Sequence, residues 1–181
     1  LPFMKIVKSI TKNSYFLTDN TSTTSTTGDI DTMNPLRITY KTDFYYEPLA
    51  DSIKESITGI SYQENSEISY EDLRYLSLLY IDFDGQIQTG ELICNQAIAQ
   101  DLIEIFYELY QASYPIEKIR LVDEYQGDDE LSMLDNNTSA FNYRTVAGTT
   151  TLSKHALGLA IDINPFYNPY VTNLKGPLHI S

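Results

Sequence analysis

Two residues of this chain have the types and the spacing to share one metal ion. His155 and Asp162 lie in the run Ser153-Lys154-His155-Ala156-Leu157-Gly158-Leu159-Ala160-Ile161-Asp162-Ile163-Asn164-Pro165. Zinc takes imidazole nitrogen at about 2.0–2.1 Å and carboxylate oxygen at about 2.0–2.2 Å, so the two side-chain tips would have to meet. Seven residues of strand would hold the Cα atoms roughly 23 Å apart and point the side chains to opposite faces. Seven residues of helix would put them on one face but roughly 10 Å apart along the axis. The chain is therefore expected to turn between them. Gly158 is best able to supply the turn, because it has no Cβ and tolerates positive φ. Leu159 to Ile163 then reads as a short buried strand that Pro165 ends. An aspartate in such an apolar run needs a partner, since an unpaired buried carboxylate is costly. The plainer alternative makes His155 a loop residue and Asp162 a turn carboxylate.

Those residues need elements to hold them. Leu73 to Asp82 and Gln86 to Cys94 read as two strands of a hairpin, with Asp84-Gly85 as its tight turn. Asn95 can cap a helix running to about Ala112, whose apolar positions Ile98, Leu102, Ile105, Phe106, Leu109 and Tyr110 recur at helical spacing. Tyr114-Pro115 stops it. Residues 116–125 read as a third strand, with Ile119 and Leu121 alternating against Lys118 and Arg120. A further short helix is expected near Pro48 to Ile57. Residues 126–143 read as a long, irregular, acidic segment, either functional or a solvated connector. The spacing of an EF-hand calcium loop is absent from it.

Composition narrows the class. A chain of 181 residues with 42% hydrophobic and 20% charged side chains suits one domain with a sizeable core. Its 25 acidic against 12 basic side chains give a net charge of −13, which argues against nucleic acid and anionic membrane surfaces as partners. Fifteen tyrosines suit partly wet grooves or the edges of the core. The single cysteine, Cys94, falls in an apolar run and reads as a buried thiol. No apolar run approaches the roughly 20 residues of a membrane-spanning helix. Residues 1–34 read as an N-terminal segment followed by a Thr/Ser-rich linker, Thr18 to Gly28 at its centre, either a flexible loop or an envelope tether. The chain begins without Met and is expected to be a processed or trimmed form.

The pattern S-x-H-x-x-G-x-A-x-D, matched at all five fixed positions, resembles the zinc-binding motif of the M15 D-alanyl-D-alanine carboxypeptidase family. That family includes the vancomycin-resistance D,D-peptidases and the phage L-alanyl-D-glutamate endopeptidases. The runs Ser132-Met133, Asn136 to Arg144, and Asn164-Pro165 with Asn168-Pro169-Tyr170 look like a bacterial branch of it. The likeness covers roughly residues 45–173.

The resemblance implies an α+β fold, an antiparallel sheet packed on helices with a metal site at one edge of the sheet. It implies a zinc-dependent peptidase that hydrolyses peptidoglycan stem peptides next to a D-amino acid, and hence a bacterial, secreted or envelope-associated protein. His155 and Asp162 would be zinc ligands. Arg144, eleven residues before His155, would polarise the scissile carbonyl and stabilise the oxyanion; its alternative is a salt bridge to a nearby carboxylate. Ser153 would help hold the substrate's C-terminal carboxylate; its alternative is local turn capping. The family's third ligand is a second histidine in a tryptophan-rich C-terminal segment, beside an acidic residue that acts as general base. This chain has no tryptophan, and its other histidine, His179, stands in Gly176-Pro177-Leu178-His179-Ile180, a different context. Residues 35–181 are thus expected to be a peptidase-like domain lacking its C-terminal catalytic segment. Two other classes compete: a non-catalytic wall-binding or scaffold module that kept the fold, and a calcium-stabilised acidic adhesion domain.

Overall fold

The structure is a computed structural model and describes residues 34–65 and 67–169. The expected N-terminal segment and linker, apart from Asn34, lie outside the described residues, as does His179.

The fold is α+β. Four antiparallel strands make the main sheet in the order β1-β2-β3-β4: β1 (Ile38–Lys41), β2 (Phe44–Pro48), β3 (Leu73–Ile81) and β4 (Ile87–Asn95). Between β2 and β3 runs a short helix, α1 (Asp51–Ile57), and β4 leads into the longest helix, α2 (Ala99–Gln111). The expected hairpin is present, in register from Leu73↔Asn95 to Ile81↔Ile87. Gly85 takes φ 76° in its loop, and the Asp82 carboxylate accepts from the amides of Asp84 and Gln86.

Alternation along β3 and β4 gives the sheet two apolar faces. Leu76, Leu78, Leu92 and Cys94 point to one face and meet Leu102, Ile103 and Phe106 of α2. Leu73 and Ile93 point to the other and join Leu49, Ile57 and Phe141. Cys94 is fully buried, and burial pushes its thiol up to about 12 against the opposing pull of Arg74, so it is a thiol and not a thiolate at neutral pH.

Several expectations are corrected. The two strands β1 and β2 lie just ahead of the short helix, where the sequence pattern gives no element. Asn95 caps a turn rather than α2: its carboxamide oxygen accepts from Ala97 N, and Ile98 is the residue that precedes the helix. The third strand shrinks to β5 (Lys118–Ile119) followed by a 3-10 turn at Val122–Tyr125. The acidic segment is not irregular. It holds α3 (Asp129–Leu134), capped by Asp128 accepting from Leu131 N, and then β6 (Asn137–Thr138), which pairs in parallel with β5. The strand expected over 159–163 reduces to one antiparallel bridge, Ser139↔Asp162.

What positions the candidate residues is the free side of β4. Phe141 N donates to Ile93 O at 3.0 Å, and Asn95 N donates to Gly158 O at 2.9 Å. Two segments, one around 139–142 and one around 155–162, are thereby hung on the border of the sheet. No helix among the described residues is long and apolar enough to cross a membrane.

Candidate active site

The turn expected between His155 and Asp162 is there. His155–Leu157 forms one 3-10 turn, and Gly158 ends it at φ 64°. Glycine is required here twice over. The left-handed φ disfavours any other residue, and a Cβ on Gly158 would sit 2.6 Å from Asn95 N. Asn95 also donates its side-chain amide to Leu157 O at 3.1 Å, so the reversal is clamped to the end of β4.

The returning chain then passes alongside the 139–142 segment. Ser139 and Asp162 exchange both backbone hydrogen bonds, at 3.1 and 3.0 Å. Asn142 N donates to His155 O at 3.1 Å. Two residues seven apart in sequence are thus set on a common backbone spine. Their tips meet, with His155 Nε2 3.2 Å from Asp162 Oδ2.

The other ring nitrogen decides the tautomer. His155 Nδ1 lies 2.6 Å from Ala140 O, and a carbonyl only accepts, so Nδ1 carries the proton. In a neutral ring Nε2 then turns a lone pair toward the Asp162 carboxylate. Two lone pairs face each other, and a cation between them, a proton or a metal ion, removes the conflict. Burial works against charge on His155. The hydrogen bond and negative charge of Asp162, with the Ala140 carbonyl, outweigh burial and the opposing charge of Arg144, and hold the imidazole above its ordinary 6.5.

The pair fits zinc in donor type and in spacing. Imidazole nitrogen and carboxylate oxygen are both zinc donors, and two ligands of a tetrahedral ion stand roughly 3.3 Å apart. The Ala140 carbonyl supplies the second partner that metal-ligating histidines have. The Asp162 side chain is 40% exposed, which leaves the pair open to solvent. Among the described residues no group of three or more His, Cys, Asp or Glu side chains is placed to hold a metal.

Arg144 and Ser153 flank this pair. Ser153 N donates to Arg144 O at 3.0 Å, so the two lie side by side just ahead of His155. Ser153 is buried, and its hydroxyl oxygen accepts from His155 N at 3.2 Å, the local capping that the sequence left open. Arg144 Nη2 lies 2.5 Å from Asp129 Oδ2, so the salt bridge left open for it also exists. Its charge still reaches His155, where it opposes protonation.

A family model described as D-alanyl-D-alanine carboxypeptidase matches residues 147–179. The chain resembles that peptidase family over this stretch. The match takes in Ser153, His155, Gly158 and Asp162 and leaves Arg144 three residues outside it. No curated protein and no solved structure matches the chain.

Sequence reasoning missed Ala140 and Asp129. Ala140 acts through its backbone carbonyl, which no side-chain pattern reveals. Asp129 had a signal: Asp128 followed by Asp129 and Glu130 is the acidic first turn of a capped helix.

Proposed function

We propose that this chain is a zinc-dependent peptidase domain that hydrolyses peptidoglycan stem peptides beside a D-amino acid, acting outside the cytoplasm. One observation carries the reading: His155 Nε2 and Asp162 Oδ2 are 3.2 Å apart, with Nδ1 committed to Ala140 O. The match to the carboxypeptidase family over 147–179 supports the reaction class.

His155 would hold the metal through Nε2 and Asp162 through a carboxylate oxygen. When bound there, zinc supplies a Lewis acid that polarises a carbonyl and acidifies water. Arg144 would bring a fixed cation to the negative charge that develops on the scissile carbonyl oxygen, a contribution of about 3–4 kcal/mol where such a donor is preorganised. Ser153 uses a lone pair on His155 N, so its own proton is available to a substrate carboxylate.

A second reading, a non-catalytic wall-binding module that keeps the fold, is favoured by the ligand count. The described residues bring two metal donors together, whereas a catalytic zinc site has three.

The experiment is zinc titration by calorimetry on the chain, His155→Ala and Asp162→Ala, followed by mass spectrometry of stem pentapeptides. The peptidase reading expects near-stoichiometric zinc, lost in both variants, and zinc-dependent release of a fragment at a D-residue. Zinc binding that His155→Ala leaves intact would sink it. Zinc bound without cleavage would favour the module.

A further inference from the structure

The ion pair between Arg144 and Asp129 is not the kind that merely decorates a surface. The two side chains are 29% and 27% exposed. Asp129 Oδ2 meets the guanidinium at Nη2 and no hydrogen bond engages Nε, although a carboxylate commonly takes Nε and a terminal nitrogen together. Arg144 Nε is buried with no hydrogen-bond partner. Leaving such a donor unpaired is costly, so local satisfaction is not what sets the placement of this guanidinium. Nη1 contacts its neighbour Thr145 O at 3.5 Å, the outer limit of a hydrogen bond.

Asp129 is itself fixed to the backbone that carries the histidine. It opens α3, whose cap is Asp128 accepting from Leu131 N at 3.0 Å. The residue before that cap, Gly127, accepts at its carbonyl from the side chain of Asn142 at 3.2 Å. Asn142 N in turn donates to His155 O. A carboxylate on this helix therefore keeps its distance from His155.

We propose that Asp129 is the positioning residue of the site, holding the Arg144 guanidinium through Nη2 so that the terminal N–H groups it does not engage serve a ligand's anionic oxygen. The inference rests on the reading of Arg144 as the cation that meets the substrate. A surface ion pair would contribute little to stability and nothing else.

The test uses the full ¹⁵N-labelled chain, with Arg144→Lys to assign the Arg144 Nε–Hε signal. In the wild type the burial of Nε should make this proton exchange slowly with water. Asp129→Ala should speed its exchange by about tenfold or more while the melting midpoint stays within a few degrees, and Asp129→Glu should restore it. If Asp129→Ala does not fold, Asp129→Asn, which keeps the shape and removes the charge, takes its place. In the zinc-loaded chain, Asp129→Ala should lower kcat on a stem peptide by about 10–100-fold with KM and zinc content little changed, as for an interaction made in the transition state. A wild type that cleaves nothing would defeat the hydrolytic reading, and the Nε–Hε exchange would still decide the positioning. Unchanged exchange in Asp129→Ala, or unchanged kcat in a cleaving enzyme, overturns the proposal.

Discussion

Asn95, the last residue of β4, gives its backbone amide to the carbonyl of Gly158 at 2.9 Å and its side-chain amide to Leu157 O. This double clamp sets the turn that brings His155 to Asp162. Gly158→Ala should therefore fail on two counts, a left-handed φ and a Cβ driven against Asn95 N. The expected loss is about 2–4 kcal/mol, read as a fall in the urea midpoint. Gly148→Ala offers a control. It shares a positive φ, with nothing within 4 Å of its Cβ, and should cost only about 1 kcal/mol.

The metal-free chain should show the charge preference of His155 directly. Its folded pKa is raised above 6.5, mainly because Asp162 overcomes the effect of burial. A raised folded pKa adds stability that is complete below the unfolded value and lost as pH rises through the folded one. Denaturation midpoints of the chelator-treated wild type should fall over that interval. Asp162→Asn should flatten the fall, and NMR titration should place its His155 lower than in the wild type.

Asp123 has a linkage of the same sign with a different cause. Burial raises its carboxyl above the ordinary 3.8, with the hydroxyl and amide of Ser61 only partly offsetting it. The folded state then holds this proton more tightly, so the contribution of Asp123 improves as pH falls through its folded pKa. Asp123→Asn keeps an oxygen for Ser61 N and removes the buried charge. It should change stability by less than about 1 kcal/mol at pH 7 and weaken this acid-side gain. A loss of several kcal/mol at pH 7 would contradict the assignment.

Asn164 sits two residues beyond Asp162 and holds the exit of the site. Its carboxamide accepts from Glu117 N and donates to Pro115 O, both at 3.0 Å, and its backbone amide donates to Thr138 Oγ1. Its φ is 46°, so strain and hydrogen bonding can be separated. Asn164→Ala should cost about 2–4 kcal/mol, and Asn164→Gly, which relieves only the φ, should remain clearly destabilised. Equal stability of Asn164→Gly and wild type would mean that the side-chain bonds contribute little.

Zinc should act as a ligand of the folded state. At a free concentration of about 100 times its dissociation constant it should stabilise the chain by about 2.7 kcal/mol, and a chelator should reverse the gain. His155→Ala and Asp162→Ala should melt at the same temperature with and without zinc.

The parts legible in the sequence were those fixed by local period or by bond length. The β3–β4 hairpin and α2 stand out because their apolar residues recur at strand and helix spacing. The turn at Gly158 follows from the reach that two side chains sharing one metal ion would need. β1 escaped because Ile38 to Lys41 is only four residues long and mostly exposed, too brief for the alternation of Ile38 and Tyr40 with Thr39 and Lys41 to stand out. Leu159 to Ile163 misled for the converse reason. Its apolar run looks like a buried strand, but Gly158 on one side and the positive φ of Asn164 on the other leave room for one bridge at Asp162. The 139–142 spine could not be read, since its bonds run to Ile93, His155 and Asp162, far off in sequence.

That spine has a second consequence. Ile93 O, taken by Phe141 N, and Asn95 N, given to Gly158 O, belong to the outer border of β4, which would otherwise present open backbone groups to other molecules. The same segments that bring His155 and Asp162 together therefore cover part of the β4 edge of the sheet against edge-to-edge pairing. Loosening these segments would uncover a template for strand pairing, so in this fold poor solubility and a broken His155–Asp162 pair would have a common origin.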